Sequence, residues 1–158
     1  MSALQELADR IEKLESLEQI KKLKARYFRL LDEKKHDEFA ALFTPDAVIV
    51  TDGITWSTPG EMASTIRSLT GAAPSVHHGH MPEIEVAGDT ASGIWAMQDL
   101  LTFPATDGAP EGHIGYGQYR ETYLRIDGEW LIDSLVLTRF RMDPLANWVI
   151  DDAGAPSS

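Results

Sequence analysis

The sequence contains no cysteine. That excludes a disulfide framework, a thiol nucleophile and a thiolate metal site. Cations are scarce: 14 Lys and Arg stand against 25 Asp and Glu, for a formal net charge of −11. Phosphate binding needs a basic footprint, so nucleic acid is excluded as a partner. An anionic membrane surface is disfavoured on the same ground. No apolar run approaches the roughly 20 residues of a spanning helix. The opening MSALQELADRIEKLE has neither the basic start nor the apolar centre of a signal peptide. These absences point to a cytoplasmic globular protein with no membrane partner. Its 158 residues form a single domain, large enough to bury a core and a pocket.

What is present begins with helices. Leu4, Leu7, Ile11 and Leu14 share helical spacing, giving a first N-terminal helix over residues 1–15 that packs on the domain or on a second subunit. Residues 16–35, SLEQIKKLKARYFRLLDEKK, then read as a longer amphipathic helix opened by a Ser16/Gln19 capping box. Leu17, Ile20, Leu23, Tyr27, Leu30 and Leu31 form its buried face. Asp32 lies one turn beyond Phe28, beside that face. The helix dipole and an apolar neighbourhood both act to raise its pKa, which would suit a base; the plainer reading is a solvated surface carboxylate.

A short helix DEFAALF follows, stopped at Thr44-Pro45. Residues 47–51 and 54–57 flank Asp52-Gly53, a hairpin signal. Thr58, Pro59 and Glu61 open a further helix that ends near Gly71. Four long strands come next, over 75–86, 90–103, 113–126 and 130–142, with tight turns at Gly88-Asp89 and Asp127-Gly128. Residues 104–112 make a longer loop. Leu145, Trp148, Val149 and Ile150 pack part of the tail, and residues 151–158 fray. Helices followed by a meander define an α+β domain, a curved sheet with helices on one side whose core is left incomplete at one end as a pocket.

Three of the five histidines fall within VHHGHMPEIEV. In a strand His78 and His80 share one face and His77 takes the other; Pro82 marks a bulge or an edge. Three readings stay open: a metal held by His78 and His80 with His113 or Asp99, one inward histidine acting as a base beside a carboxylate such as Asp32, or ordinary packing. Asp99 shares a strand face with Trp95, Met97 and Leu101. Gly115 and Gly117, flanking Tyr116, leave room for a ligand or, the plainer reading, for sheet curvature. Arg139 and Arg141, near the end of the last strand, either meet an anionic group on a substrate or, the plainer reading, pair with the surplus surface carboxylates.

Taken together, YFRLLDEKK followed by DEFAALFTPDAVI, the VHHGHMPEIEV and DTASGIWAM strands and the closing YLRIDGEWLID hairpin resemble the SnoaL-like group of the nuclear-transport-factor-2-like superfamily. The resemblance covers nearly the whole chain. It implies a cone-shaped mixed sheet wrapped around a long helix, the cystatin-like α+β barrel. The chain looks closest to the branch of scytalone dehydratase, hexachlorocyclohexane dehydrochlorinase and bile-acid dehydratase, which use a His–Asp dyad and no cofactor. On that resemblance His77 and Asp32 are the dyad, Tyr27 is a polar pocket residue, and Asp99 sits near a further acidic position. Trp95, Tyr116, Phe28 and Trp56 are then the aromatic candidates for contact with a small apolar, aromatic or steroid-like substrate. The implied activity is a lyase or isomerase of the dehydratase type, without cofactor or metal, in a homo-oligomer of two or three copies. A non-catalytic binding module on the same fold is the alternative. One departure is Ser134-Leu135, where the dehydrochlorinase carries an arginine.

Overall fold

The periodicity from Leu4 to Leu31 is realised as one uninterrupted helix, α1 (Ala3–Asp32), in a computed structural model that describes residues 2–104 and 111–146. The division expected at Ser16 is absent. Ser16 is buried inside the helix, and the N-cap is Ser2, whose hydroxyl accepts from the Gln5 amide. A capping box needs an extended residue at its head, and nothing between Leu14 and Leu17 breaks the helix to supply one. The two halves differ in their partners. Ile20, Leu23, Tyr27, Leu30 and Leu31 are buried, whereas Leu4, Leu7, Ile11 and Leu14 stay exposed.

Helix α2 (His36–Ala40) is shorter than expected, because Phe43 already opens strand β1 (Phe43–Thr51). Pro45 is exposed within that strand, where a register shift between Phe43 and Val48 accommodates its missing amide. Asp52 and Gly53 both adopt positive φ, 52° and 78°, as a two-residue primed turn requires, and lead into β2 (Ile54–Trp56). Helix α3 (Pro59–Thr70) starts as its sequence dictates. The Thr58 hydroxyl accepts from the Glu61 amide at 3.0 Å, and the Glu61 carboxylate accepts from the Ser57 amide at 2.8 Å. Gly71, at φ 52°, closes it.

Strands β3 (Ser75–Ala87), β4 (Thr90–Phe103), β5 (Glu111–Ile126) and β6 (Glu129–Ala146) form the antiparallel meander. The β1–β2 hairpin joins it through a parallel pairing of β1 with β6. The result is one six-stranded mixed sheet in the order β2-β1-β6-β5-β4-β3. The sheet curves around the buried half of α1, which packs on β3 and β6, while α3 covers β1, β2 and β4. The fold is thus α+β, with a long N-terminal helix and a curved open sheet. The core runs from Ile20, Leu23 and Tyr27 through Phe39 and Ile49 to Tyr119, Tyr123, Ile132 and Leu135. Among the described residues no helix is long and apolar enough to cross a membrane. Most of the expected loop over 104–112, and Trp148, Val149 and Ile150 of the tail, lie outside the described residues.

Candidate active site

Tyr27 and Asp32 stand on the last turns of α1, over the end of the sheet where β3 begins. Alternation along β3 sends His77 to the inner face and His78 and His80 to the exposed outer face. A bulge at Met81-Pro82, marked by the register shift between His80 and Glu83, changes the parity only beyond this point. His77 therefore arrives beside the end of α1. Its Nδ1 lies 2.6 Å from Asp32 Oδ1, and its backbone amide donates to Asp32 Oδ2 at 3.0 Å. The Ser75 hydroxyl donates to Asp32 Oδ1 at 3.0 Å. Burial alone would push the Asp32 carboxyl up, but the hydrogen bonds from His77 and Ser75 and the charge of the imidazole outweigh it. Asp32 is therefore held below the usual carboxylate range, the reverse of the direction expected from the helix dipole and the apolar stripe.

The His77 ring lines a cavity of about 260 Å³ between α1, α3, the β1–β2 hairpin and the inner face of β4 to β6. Its walls are largely apolar, from Leu31, Ile54, Trp56, Met62, Ile66, Leu69, Leu101, Phe103 and Leu137. Tyr27, Tyr119, His77, Asp99, Arg139 and His113 bring the polar groups. Burial drives the phenols of Tyr27 and Tyr119 upward, so both stay protonated donors. His113 is depressed, first by burial and then by the charge of Arg139.

Arg139 departs from expectation. Its guanidinium is turned inward and meets Asp99 twice, Nη1 to Oδ1 at 2.8 Å and Nη2 to Oδ2 at 2.7 Å, while Nε donates to Asp52 at 2.7 Å. The cause is an extra residue in β6. Tyr116 pairs with Arg141 and Gly117 with Arg139, leaving Phe140 unmatched, so the strict alternation that puts both arginines on one face fails. Arg141 does point outward, to Asp143. Gly115 is likewise more than a point of curvature. A Cβ there would collide with the Arg139 guanidinium and the Asp99 carboxylate, so glycine makes room for the pair. At Gly117 a Cβ would meet the Thr138 carbonyl, so glycine there admits the close approach of β6 backbone at the bulge.

Of the aromatic candidates only Trp56 lines the cavity. Trp95 is sealed in the core, its indole N–H donating to the Tyr123 hydroxyl at 2.9 Å. Phe28 packs over Gly79, with ring carbons 2.6 Å from where a Cβ would stand. Tyr116 falls on the outer face, because β5 turns Gly115, Gly117 and Tyr119 inward. Sequence reasoning passed over Tyr119, two residues from a position it weighed, and Lys34. It also passed over the buried ion pair of Lys24 with Glu121. The Lys24 ammonium lies 3.7 and 3.6 Å from the ring centroids of Tyr27 and Tyr119, and Glu121 also accepts from the Tyr123 hydroxyl. His78 and His80 meet edge to face with ring centroids 5.9 Å apart on the outer face, while His113 and Asp99 line the cavity on the inner one. Among the described residues no three His, Asp or Glu side chains are placed to hold a metal together.

Residues 12–136 match the SnoaL-like domain family, and the chain belongs to it. The protein named Probable cyclase FGR4, of Gibberella zeae, is 24% identical over 133 residues, 76% of this chain and 88% of that protein. Solved structures agree on the fold. The hexachlorocyclohexane dehydrochlorinase LinA-type3 of Novosphingobium barchaimii superposes with a TM-score of 0.74 at 20% identity, over 90% of this chain and 98% of that one. An NTF2-like protein with a cystatin-like fold from Novosphingobium aromaticivorans gives 0.70 at 24% identity, over 89% and 92%.

Proposed function

We propose that the chain is a cofactor-independent lyase or isomerase of the dehydratase type, acting on a small cyclic or polycyclic apolar substrate. His77 is the general base and Asp32 its partner. The observation that carries this reading is the 2.6 Å contact between His77 Nδ1 and Asp32 Oδ1 beside an apolar-walled cavity. An ionised Asp32 accepts from Nδ1–H, so Nε2 keeps its lone pair and is the nitrogen able to take a proton. A C–H bond next to a carbonyl breaks, its proton passes to Nε2 and its electrons to the carbonyl oxygen. A Tyr27 or Tyr119 phenol donates a hydrogen bond to that enolate oxygen. The electrons then return to expel a hydroxyl on the next carbon. The imidazolium supplies the proton with which it leaves as water, and the base is regenerated.

Membership of the SnoaL-like family supports lyase-like chemistry in this coarse sense, and relatives carrying the names cyclase and dehydrochlorinase are compatible with it. Trp56 and the Asp99–Arg139 pair serve as substrate contacts. The reading includes a cytoplasmic homo-oligomer of two or three copies, which the exposed apolar stripe of α1 supports and sedimentation checks. The test is a screen of hydroxylated cyclic ketones for elimination, with the parent compared with His77→Ala and Asp32→Ala. Turnover in the parent and loss of at least about a hundredfold in both variants is expected. Variants as fast as the parent overturn the mechanism. Binding without turnover in all three hands the site to a binding module.

A further inference from the structure

The backbone at the end of α1 carries an anomaly. The helix closes with a Schellman motif, in which the Lys34 amide donates to the Leu31 carbonyl at 3.1 Å and the Lys35 amide to the Leu30 carbonyl at 2.9 Å. The motif needs a left-handed residue at its centre, a place ordinarily held by glycine. Here it is Lys34, at φ 61°. A lysine in this conformation is less comfortable than a glycine, so its side chain has to offset the difference elsewhere.

That side chain does not run out into solvent with Glu33 and Lys35. It folds back along the cavity wall, half-buried, and donates from Nζ to the Ser75 hydroxyl at 2.9 Å. Ser75 in turn donates to Asp32 Oδ1, the oxygen that meets His77 Nδ1. The four groups form one directed chain, and every proton in it points toward the Asp32 carboxylate. An ammonium at its head polarises the serine hydroxyl and strengthens the donation to Asp32. We propose that Lys34 is a positioning residue of the His77–Asp32 dyad, kept in a left-handed turn for its side chain, which acts through Ser75 to keep Asp32 ionised and fixed in orientation. The inference rests on the dyad reading above and adds the reason that a half-buried carboxylate at a helix C-terminus stays charged there.

Other charges face the same place. His77 stands on β3, Asp99 on β4, His113 on β5 and Arg139 on β6, with Asp52 at the hairpin; His36 on α2 feels the charges of Lys34 and Arg67, and Arg67 on α3 is itself paired with Asp37. Arg139 is committed to Asp99 and Asp52, whereas Lys34 reaches the Asp32 carboxylate through a single hydroxyl. Lys34 is therefore the cation whose removal Asp32 should register.

The experiment is an NMR titration of the Asp32 side-chain carboxyl carbon in the parent, Lys34→Gly, Lys34→Arg and Ser75→Ala, with melting temperatures alongside. Lys34→Gly relaxes the turn, so its melting temperature should stay level or rise, while the Asp32 midpoint moves up by roughly half a pH unit or more. Lys34→Arg should restore most of the parent midpoint, and Ser75→Ala should move it as Lys34→Gly does. A Lys34→Gly protein with an unmoved Asp32 midpoint overturns the proposal, whatever its melting temperature. A raised midpoint that Lys34→Arg does not restore overturns it too. Nitrogen-15 shifts of the His77 ring separate this failure from failure of the dyad. If Asp32→Asn leaves the ring tautomer unchanged, the dyad itself is absent; if it shifts the tautomer and Lys34→Gly leaves Asp32 unmoved, only the role of Lys34 is lost.

Discussion

His77 and Asp99 are cross-strand partners on β3 and β4, so the imidazole bound to Asp32 and the carboxylate clamped by Arg139 project from one face of the sheet. The cavity thus has two polar stations side by side: one able to take a proton and one with fixed charge.

The fixed station is also structural. Asp99 is almost fully buried and Arg139 nearly so, and removing one partner of such a pair strands the other. Asp99→Asn is expected to cost about 3 kcal/mol in denaturant unfolding. Asp52 alone remains for the guanidinium, at a half-exposed turn. A loss below about 1 kcal/mol would show the pair to be solvated in practice.

Gly115→Ala probes the same pair from below. Its methyl group would occupy space that Arg139 and Asp99 share, so it should displace the guanidinium from the cavity and weaken binding of any ligand held there. Gly53→Ala, at a turn glycine with open space around it, should lower stability by about 1 kcal/mol and leave ligand binding unchanged. Calorimetric binding of a ligand found in the screen distinguishes the two.

Much of this was readable in the residues. Thr58-Pro59-Gly60-Glu61 and Asp52-Gly53 carry local stereochemistry that tertiary contacts do not override, and both formed as written. The inward His77 and its meeting with Asp32 follow from two periodicities, 2 along β3 and 3.6 along α1, together with the family resemblance. What failed did so where one residue changes the count. Phe140 inserts into β6 and sends Arg139 inward, and no composition signal marks it. Lys24 was invisible for another reason. At helical spacing it sits on the buried stripe beside Leu23 and Tyr27, and only the placement of Glu121 on β5 makes a buried lysine tolerable.

That lysine yields a stability prediction. Burial lowers the Lys24 ammonium to about 8 against the pull of Glu121, so the pair is held at some cost. Lys24→Met strands a buried carboxylate and is expected to lose about 3–5 kcal/mol. The double substitution Lys24→Met/Glu121→Leu should recover most of that loss. Urea unfolding of the three proteins closes the cycle, and additive losses would mean that the two side chains do not interact.

Acid sensitivity follows from depressed pKa values. Burial, then neighbouring cations, lower His36 and His113, and the hydrogen bonds of His77 and Ser75 lower Asp32 against its burial. Each group binds fewer protons folded than unfolded, so stability present above the unfolded pKa is lost as pH falls. The loss should begin near pH 6.5, where free histidine titrates, and steepen below about 4, where free aspartate does. Asp32→Asn should flatten the lower step and leave the upper one. Melting temperatures from pH 8 to 3 test both parts.

The bulge at Met81-Pro82 has a consequence for neighbours rather than for the cavity. β3 is an outer strand of the sheet, 13 residues long, and a straight strand of that length would offer an unpaired backbone row to any other extended chain. Pro82 withholds one amide from that row, and the positive φ of Met81 breaks its line near the middle. The opposite edge, β2, is three residues long. Both borders of the sheet are thereby poor templates, so the curved surface that shapes the cavity does not invite its own extension into a fibre.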